Sequence, residues 1–180
     1  AHLKRHDQIL YDRVRSHGPV TFPSVKPTPK SSFIALCRAI VGQQLSTKAA
    51  ATIFLRLSEW AEANGGLTPS FILKHNAQEM RNVGLSLQKA SYLLALSNAW
   101  NDNEDRFESL HTLSNEQVIA TLTEIKGIGI WTAQMFLIFT LLRPDVFAPG
   151  DLGLKKAMER LYGISMASSE SIFRAHAERW

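Results

Sequence analysis

LTEIKGIGIWTAQMFLIFTLLRPDVFAPGDLGL, running from Leu122 to Leu154, is the stretch around which the rest of the chain is arranged. It reads as a helix end, a tight glycine turn, a second helix, a proline stop and a lone carboxylate at a further helix start. Gly127 and Gly129 flank Ile128 in the turn. Glycine fits there because it accepts positive φ and lets another backbone come close. A helix restarting near Trp131 and Thr132 aims unpaired N–H groups and the positive end of its dipole outward, which suits a phosphate. Ala133 to Leu142 is apolar nearly all round, as a fully buried helix is. Pro144 stops it, because the residue before a proline is pushed out of the α region. Asp151 follows Pro149 and Gly150, where the next helix begins.

Upstream, Ser31 or Ser32 caps a helix in which Phe33, Leu36, Cys37 and Ile40 recur at helical spacing. The pattern breaks at VGQQLS, residues 41–46, and Ser46 is placed to cap a helix from Thr47 to Glu62. Two amides, Gln43 and Gln44, beside Leu45 are unusual for a connector, yet a satisfied turn explains them equally well on sequence alone. Short helices over 68–74 and 76–82 lead to Gly84 and a helix over 87–100. There VGLSLQKASYLLAL echoes IGIWTAQMFLIFTL, though with a different spacing. Asn101 to Arg106 reads as a polar loop. Ser114 caps a helix over 115–125, with Gln117 at the capping-box position. At the other end, Leu3 to Ser16 reads as one helix with Asp7 on its wet side. Thr21 to Lys30, with Pro23, Pro27, Pro29 and Lys26, reads as an extended linker. No segment alternates with period two between turn signals, so the expectation is an all-α fold of about ten helices.

Composition sets bounds. The 180 residues are 45% hydrophobic, enough for a sizeable core, and carry a formal net charge of +4. That balance suits a nucleic-acid partner but is shared by many soluble proteins. The single cysteine, Cys37, excludes an internal disulfide and any four-cysteine zinc or iron–sulfur site. Residues 1–20 show no signal-peptide apolar core, and runs such as Met135 to Phe139 are too short to span a bilayer. The expectation is a soluble protein inside the cell.

GIGIWTAQMFLIF followed by RPDVFAPGDLGLKKA resembles the helix-hairpin-helix and trailing aspartate signature of the helix-hairpin-helix DNA glycosylases. Within that superfamily it is most similar to the alkylation-repair branch, the 3-methyladenine DNA glycosylase II type. The resemblance covers roughly Ser31 to Gly163, and it implies two helical lobes with a central cleft. Residues 32–143 would form the central bundle with the hairpin, and residues 1–31 would join 144–180 in the second lobe. The endonuclease III branch carries an iron–sulfur cluster that this chain cannot build.

Site residues follow from the same resemblance. Asp151 would be the catalytic carboxylate, stabilising positive charge that develops on the sugar and orienting the attacking water. Bifunctional members carry a lysine where this chain has Trp131. Lys126 does not match that position, so the resemblance implies a monofunctional enzyme. The Trp131 indole would line the base pocket and favour a cationic base. Gly127, Ile128, Gly129 and Thr132 would bind DNA phosphate. Gln43, Gln44, Leu45 and Ser46 would form the loop that fills the gap left by a flipped nucleotide, with Gln44 ahead of Leu45 as the wedge. Lys48, Lys155 and Lys156 are further phosphate candidates. The carbonyls of Thr123, Ile125 and Ile128 would hold a sodium or potassium ion, and no organic cofactor is required. A further helix beyond Trp180 would add aromatic groups to the pocket.

The function implied is excision of alkylated purines, of the 3-methyladenine and 7-methylguanine type, in base excision repair. It would proceed by base flipping and hydrolysis of the N-glycosidic bond. The alternative is a homologue that binds abasic or distorted DNA with little excision. Either way the partner is double-stranded DNA with an alkylated base or abasic site. The protein would act as a monomer, in the nucleus of a eukaryote or the nucleoid of a bacterium.

Overall fold

The computed structural model describes residues 2–18, 21 and 27–180. The described residues form α-helices joined by short 3-10 turns and loops, with no strand among them. The helices are α1 (His2–His6), α2 (Gln8–His17), α3 (Pro29–Gly42), α4 (Thr47–Glu62), α5 (Pro69–Leu73), α6 (Ala77–Met80), α7 (Leu87–Asp102), α8 (Glu104–Glu108), α9 (Asn115–Thr123), α10 (Ile130–Phe139), α11 (Leu152–Tyr162) and α12 (Glu170–Ala177). They fall into two compact units, one of Ala1–Ser24 with Pro144–Trp180 and the other of Val25–Arg143.

In the larger unit α7 is the central post, packed by α3, α5 and α6. It presents Ala90, Leu93, Leu96 and Trp100 inward at helical spacing, all buried. Phe33 of α3 meets Trp100 edge-on at 5.3 Å, and Phe107 of α8 stacks on the same indole at 4.8 Å. Cys37 is fully buried beside them in sequence, and burial pushes its thiol pKa far up. α9 packs against α10, and a capping box joins Ser114 and Gln117 at its start.

Several local expectations are corrected. α3 begins two residues earlier than Ser31, because Thr28 is the cap and Pro29 takes the first turn, where its missing N–H costs nothing. Ser31 completes that capping box by accepting from the Thr28 N–H at 2.8 Å. Pro29 is therefore helix rather than linker, while Pro23 and Lys26 lie outside the described residues. The polar run after Asn101 continues α7 to Asp102 and then forms α8. α10 is not buried all round: Phe139 is 71% exposed. It also ends well before Pro144. Leu142 adopts φ +56, and the Arg143 N–H returns to the Leu137 carbonyl at 3.0 Å, closing the helix end without glycine. The Arg143 guanidinium then donates to the carbonyls of His111 and Leu113, each at 2.9 Å, which ties down the strained end.

In the smaller unit the expected first helix breaks at Asp7, which is buried rather than wet. Asp7 caps α2 by accepting from the Leu10 N–H at 2.9 Å. Its other oxygen accepts from the Tyr162 hydroxyl at 2.9 Å and the Trp180 indole at 2.8 Å. One carboxylate thus joins α2 to the end of α11 and to the residues after α12. Burial works against its charge, but the Leu10 N–H, the Trp180 and Tyr162 donors and nearby His176 outweigh it and hold the carboxyl below its ordinary 3.8. A lowered folded value means that the stabilisation is fully present above 3.8 and is lost as the pH falls through the folded value. Asp7→Asn should therefore destabilise the protein by about 1–3 kcal/mol at neutral pH. Thermal melts of both proteins should show the gap closing below pH 3.8. A gap independent of pH would show that packing, not charge, holds this junction.

Candidate functional site

The hairpin is built by one backbone requirement. After α9, Ile125 turns inward and Gly127 takes φ +95. A Cβ on Gly127 would be driven into the ring of Tyr92 from α7, so only glycine lets the turn lie against that ring. The Ile128 N–H closes the turn on the Ile125 carbonyl at 3.0 Å, and the Ala133 N–H bonds the Gly129 carbonyl at 3.0 Å to open α10.

Gly129 is different. Its φ of −95 is ordinary, and nothing lies within 4 Å of where a Cβ would be. Neither sterics nor conformation asks for glycine there. As an N-cap it offers no side-chain acceptor, whereas α3, α4, α5, α6, α7, α9 and α11 each start with one. The first-turn N–H groups of a helix have no intrahelical partner, so this start presents donors and positive dipole outward. Ile130 and Trp131 flank it, 61% and 45% exposed.

Two expected contact residues are corrected to main-chain roles. Ile128 and Thr132 are each 4% exposed, so their side chains face the interior. Gln43 is corrected as well. Its Nε2 donates to the Gly127 carbonyl at 2.8 Å, so the amide braces the hairpin instead of reaching outward.

Gln44, Leu45 and Ser46 are exposed. Gln43 has φ −54 and ψ 132, Gln44 has φ +57, and the Leu45 N–H donates to the Gly42 carbonyl at 3.3 Å. This is a type II turn with glutamine where glycine normally sits. A left-handed residue with a side chain costs roughly 1–2 kcal/mol, so the fold carries strain to present that amide. Ser46 caps α4, accepting from the Ala49 N–H at 3.3 Å.

The echo at Gly84 is closer than the sequence suggests. Gly84 has φ +99, Leu85 is buried, Ser86 caps, and α7 starts at Leu87, just as Gly127, Ile128, Gly129 and Ile130 follow one another. Ala90 and Ala133 then fall at matching buried positions. The copies differ at the cap. Ser86 accepts from the Lys89 N–H at 3.2 Å, so this start closes on itself.

α10 also carries Trp131, Met135 and Phe139, four residues apart and therefore on one side of the helix. Met135 and Phe139 face Ile34, Ala35 and Arg38 of α3 across a groove of about 390 Å³. Sequence reasoning missed Met135 and Phe139 because an apolar helix reads as core wherever its residues point.

Asp151 stands in the smaller unit. A turn from Ala148 places it, closed by the Asp151 N–H on the Ala148 carbonyl at 2.9 Å. Its Oδ1 accepts from the Leu154 N–H at 2.8 Å, capping α11. Gly153 leaves room, since a Cβ there would lie 3.1 Å from that oxygen. Lys155 lies with its ammonium 5.5 Å from the centre of the Phe173 ring, which engages it within this unit. Among the described residues no three His, Cys, Asp or Glu side chains group to hold a metal. No helix of the described residues is long and apolar enough to cross a membrane.

These features, an uncapped glycine hairpin and a capping aspartate after a proline-glycine turn, coincide with a family match. Residues 37–180 match the HhH-GPD superfamily of base excision DNA repair proteins. The chain belongs to the HhH-GPD superfamily. It is 33% identical over 157 residues to DNA-3-methyladenine glycosylase 1 of Schizosaccharomyces pombe, across 87% of this chain and 69% of that one. It is 31% identical to DNA-3-methyladenine glycosylase 2 of Escherichia coli, across 79% of this chain and 50% of that one. A solved structure of an S. pombe 3-methyladenine DNA glycosylase in complex with abasic DNA superposes with a TM-score of 0.83 at 32% identity. That match covers 99% of this chain and 86% of the other.

The two glycines should separate on mutation. Gly127→Ala should lose about 2–5 kcal/mol from overpacking against Tyr92 and from the left-handed backbone. Gly129→Ala should melt close to wild type. Chemical denaturation of both decides this, and equal losses would refute the distinct roles. At the turn, Gln44→Gly should be at least as stable as wild type while its affinity for an abasic duplex falls. A clear loss of stability in that variant would mean that Gln44 is not strained.

Proposed function

We propose that the protein is a monofunctional DNA glycosylase that flips alkylated purines out of the duplex and hydrolyses the N-glycosidic bond with water. What carries the reading is Asp151: an aspartate pinned by its Oδ1 bond to Leu154 at the start of α11. A fixed carboxylate stabilises the oxocarbenium-like sugar far better than mobile water does, because it needs no reorganisation as charge develops. A base alkylated at ring nitrogen is already cationic and leaves without a general acid, so one carboxylate suffices.

The parts divide the work. The uncapped start of α10, through the N–H groups around Gly129, grips a backbone phosphate without reading sequence. Gln44, with Leu45 beside it, enters the space vacated by the flipped nucleotide, and Ser46 lies toward the minor groove. The exposed face of Trp131, continued by Met135, receives the base. An indole attracts a cation over its ring face, which favours alkylated purines over ordinary ones. A lysine nucleophile at the Trp131 position is absent, so water attacks the sugar and no Schiff base forms there. The carbonyls of Thr123, Ile125 and Ile128 suit a sodium or potassium ion, which takes oxygen donors. The Ile125 carbonyl accepts the Ile128 N–H and keeps a second lone pair for such an ion. This chain's residues then hold the hairpin in shape with or without a contribution from the ion.

The test is Asp151→Asn. Asparagine caps a helix as aspartate does, so the fold should survive. It supplies no negative charge and is a poor base. Release of 3-methyladenine and 7-methylguanine from methylated duplex DNA should fall on the order of a hundred- to thousandfold, while affinity for an abasic duplex changes little. Full activity in the variant would leave Asp151 as a structural cap. Tight abasic binding with no release by the wild type would instead make the protein a recognition module.

A further inference from the structure

The turn that presents Gln44 is pinned from two sides. On one side Gln43 reaches across 84 positions of sequence to donate from Nε2 to the Gly127 carbonyl at 2.8 Å. On the other, Lys89 in the first turn of α7 donates from Nζ to the Val41 carbonyl at 2.7 Å. Val41 lies in the last turn of α3, where carbonyls have no intrahelical donor and a cation is favoured by the dipole. The two bonds hold the segment between the two glycine hairpins, Gly84 with α7 and Gly127 with α10. Immediately after the two pinned residues sits the one position in the turn whose backbone is unfavourable, Gln44 at φ +57. A strained conformation persists only when its surroundings over-determine it.

We propose that Gln43 is a positioning residue: its bond to the Gly127 carbonyl fixes the turn that holds Gln44 left-handed and locks the gap-filling loop to the phosphate-gripping hairpin. The inference rests on the glycosylase reading for the roles of loop and hairpin. The bond joins the two directly, since Gly127 is the glycine on which the hairpin turns. With the bond in place, gripping a phosphate sets the height at which the Gln44 amide enters the duplex. Without it the hairpin still binds, but the loop relaxes toward an unstrained turn and the amide is misplaced. Lys89 contributes from the far side by fixing the end of α3, from which the turn departs.

The test uses Gln43→Met, which keeps length and removes the donor. The probes are a duplex carrying one tetrahydrofuran abasic analogue opposite 2-aminopurine, and the same duplex without the lesion. Loss of one such hydrogen bond should cut the preference for the lesion duplex about five- to tenfold. Affinity for the intact duplex should stay within about twofold, because the phosphate contacts are untouched. The 2-aminopurine fluorescence change on binding should shrink, and amide exchange at Leu45 and Ser46 in the free protein should quicken. Unchanged preference, or an equal fall on both duplexes, would overturn the proposal and leave Gln43 as scaffold. If Gln43→Met does not fold, Lys89→Met loosens the same turn from the other pin and should give the same split. Its failure to do so would count equally against the proposal. Should the wild type show no lesion preference, the glycosylase reading fails by that observation alone. Amide exchange in the variant then decides whether Gln43 fixes the turn, with unchanged rates rejecting it.

Discussion

The missing side chain at Gly127 is the constraint on which the larger unit depends. Because nothing projects from that Cα, the ring of Tyr92 lies directly against the hairpin backbone. That contact sets how closely the hairpin turn approaches α7, the post around which the core is packed. It also turns the Gly127 carbonyl to where the Gln43 amide reaches it at 2.8 Å. Three elements distant in sequence are thereby placed by one absent methyl group. The residues that do the placing are ordinary core and bracing groups, and the ones they place are exposed.

Helix starts show the same division between holding and presenting. Most helices here close their first turn with a serine, threonine, asparagine or aspartate. Such a cap removes the donors that would otherwise attract an anion. α10 leaves them open at Gly129, and α11 closes them with a charge, Asp151. The two therefore carry opposite fields at their N-termini: one is net positive, and the other bears a fixed negative group. At Asp151 the cap bond is itself what holds the carboxylate in place.

Much of this was legible in the sequence, and the limits have physical causes. Caps and periodicity revealed α4 and α9, because their starts carry Ser46 and Ser114 followed by inward residues at helical spacing, and the turn at Gly84 with the apolar spacing behind it revealed α7. The Gly127 turn and Asp151 were visible because glycine and a proline-glycine-aspartate run have few other uses. Other features were hidden. Thr28 was masked by the two serines behind it, which fit a cap equally well until backbone angles are known. Asp7 looked solvent-facing, because its partners Tyr162 and Trp180 lie 155 and 173 positions away. The role of Gln43 was lost for the same reason: a long-range donor and an outward-reaching amide have one sequence signature. The likeness of the Gly84 and Gly127 hairpins was underestimated because Ser86 stands where the other copy has glycine, although the backbone keeps the same register.

The departures from local rules sort themselves by what they expose. Asp7 buries a charge, yet every neighbour acts to stabilise it, so that departure serves the fold. Leu142 is left-handed, and Arg143 fastens the helix end behind it. Gln44 is left-handed too, but the strained residue is itself exposed, and the residues leading into it are pinned at Val41 and Gln43. Gly129 declines a cap that no steric demand forbids. Natural sequences keep local and global preferences consistent except where function requires otherwise. By that criterion Gln44 and Gly129 are the two departures that packing does not explain. The bonds from Gln43 and Lys89 anchor the segment that leads into Gln44. Removing strain at Gln44 would favour the folded state, so its persistence argues that the amide is kept for what it meets outside the protein.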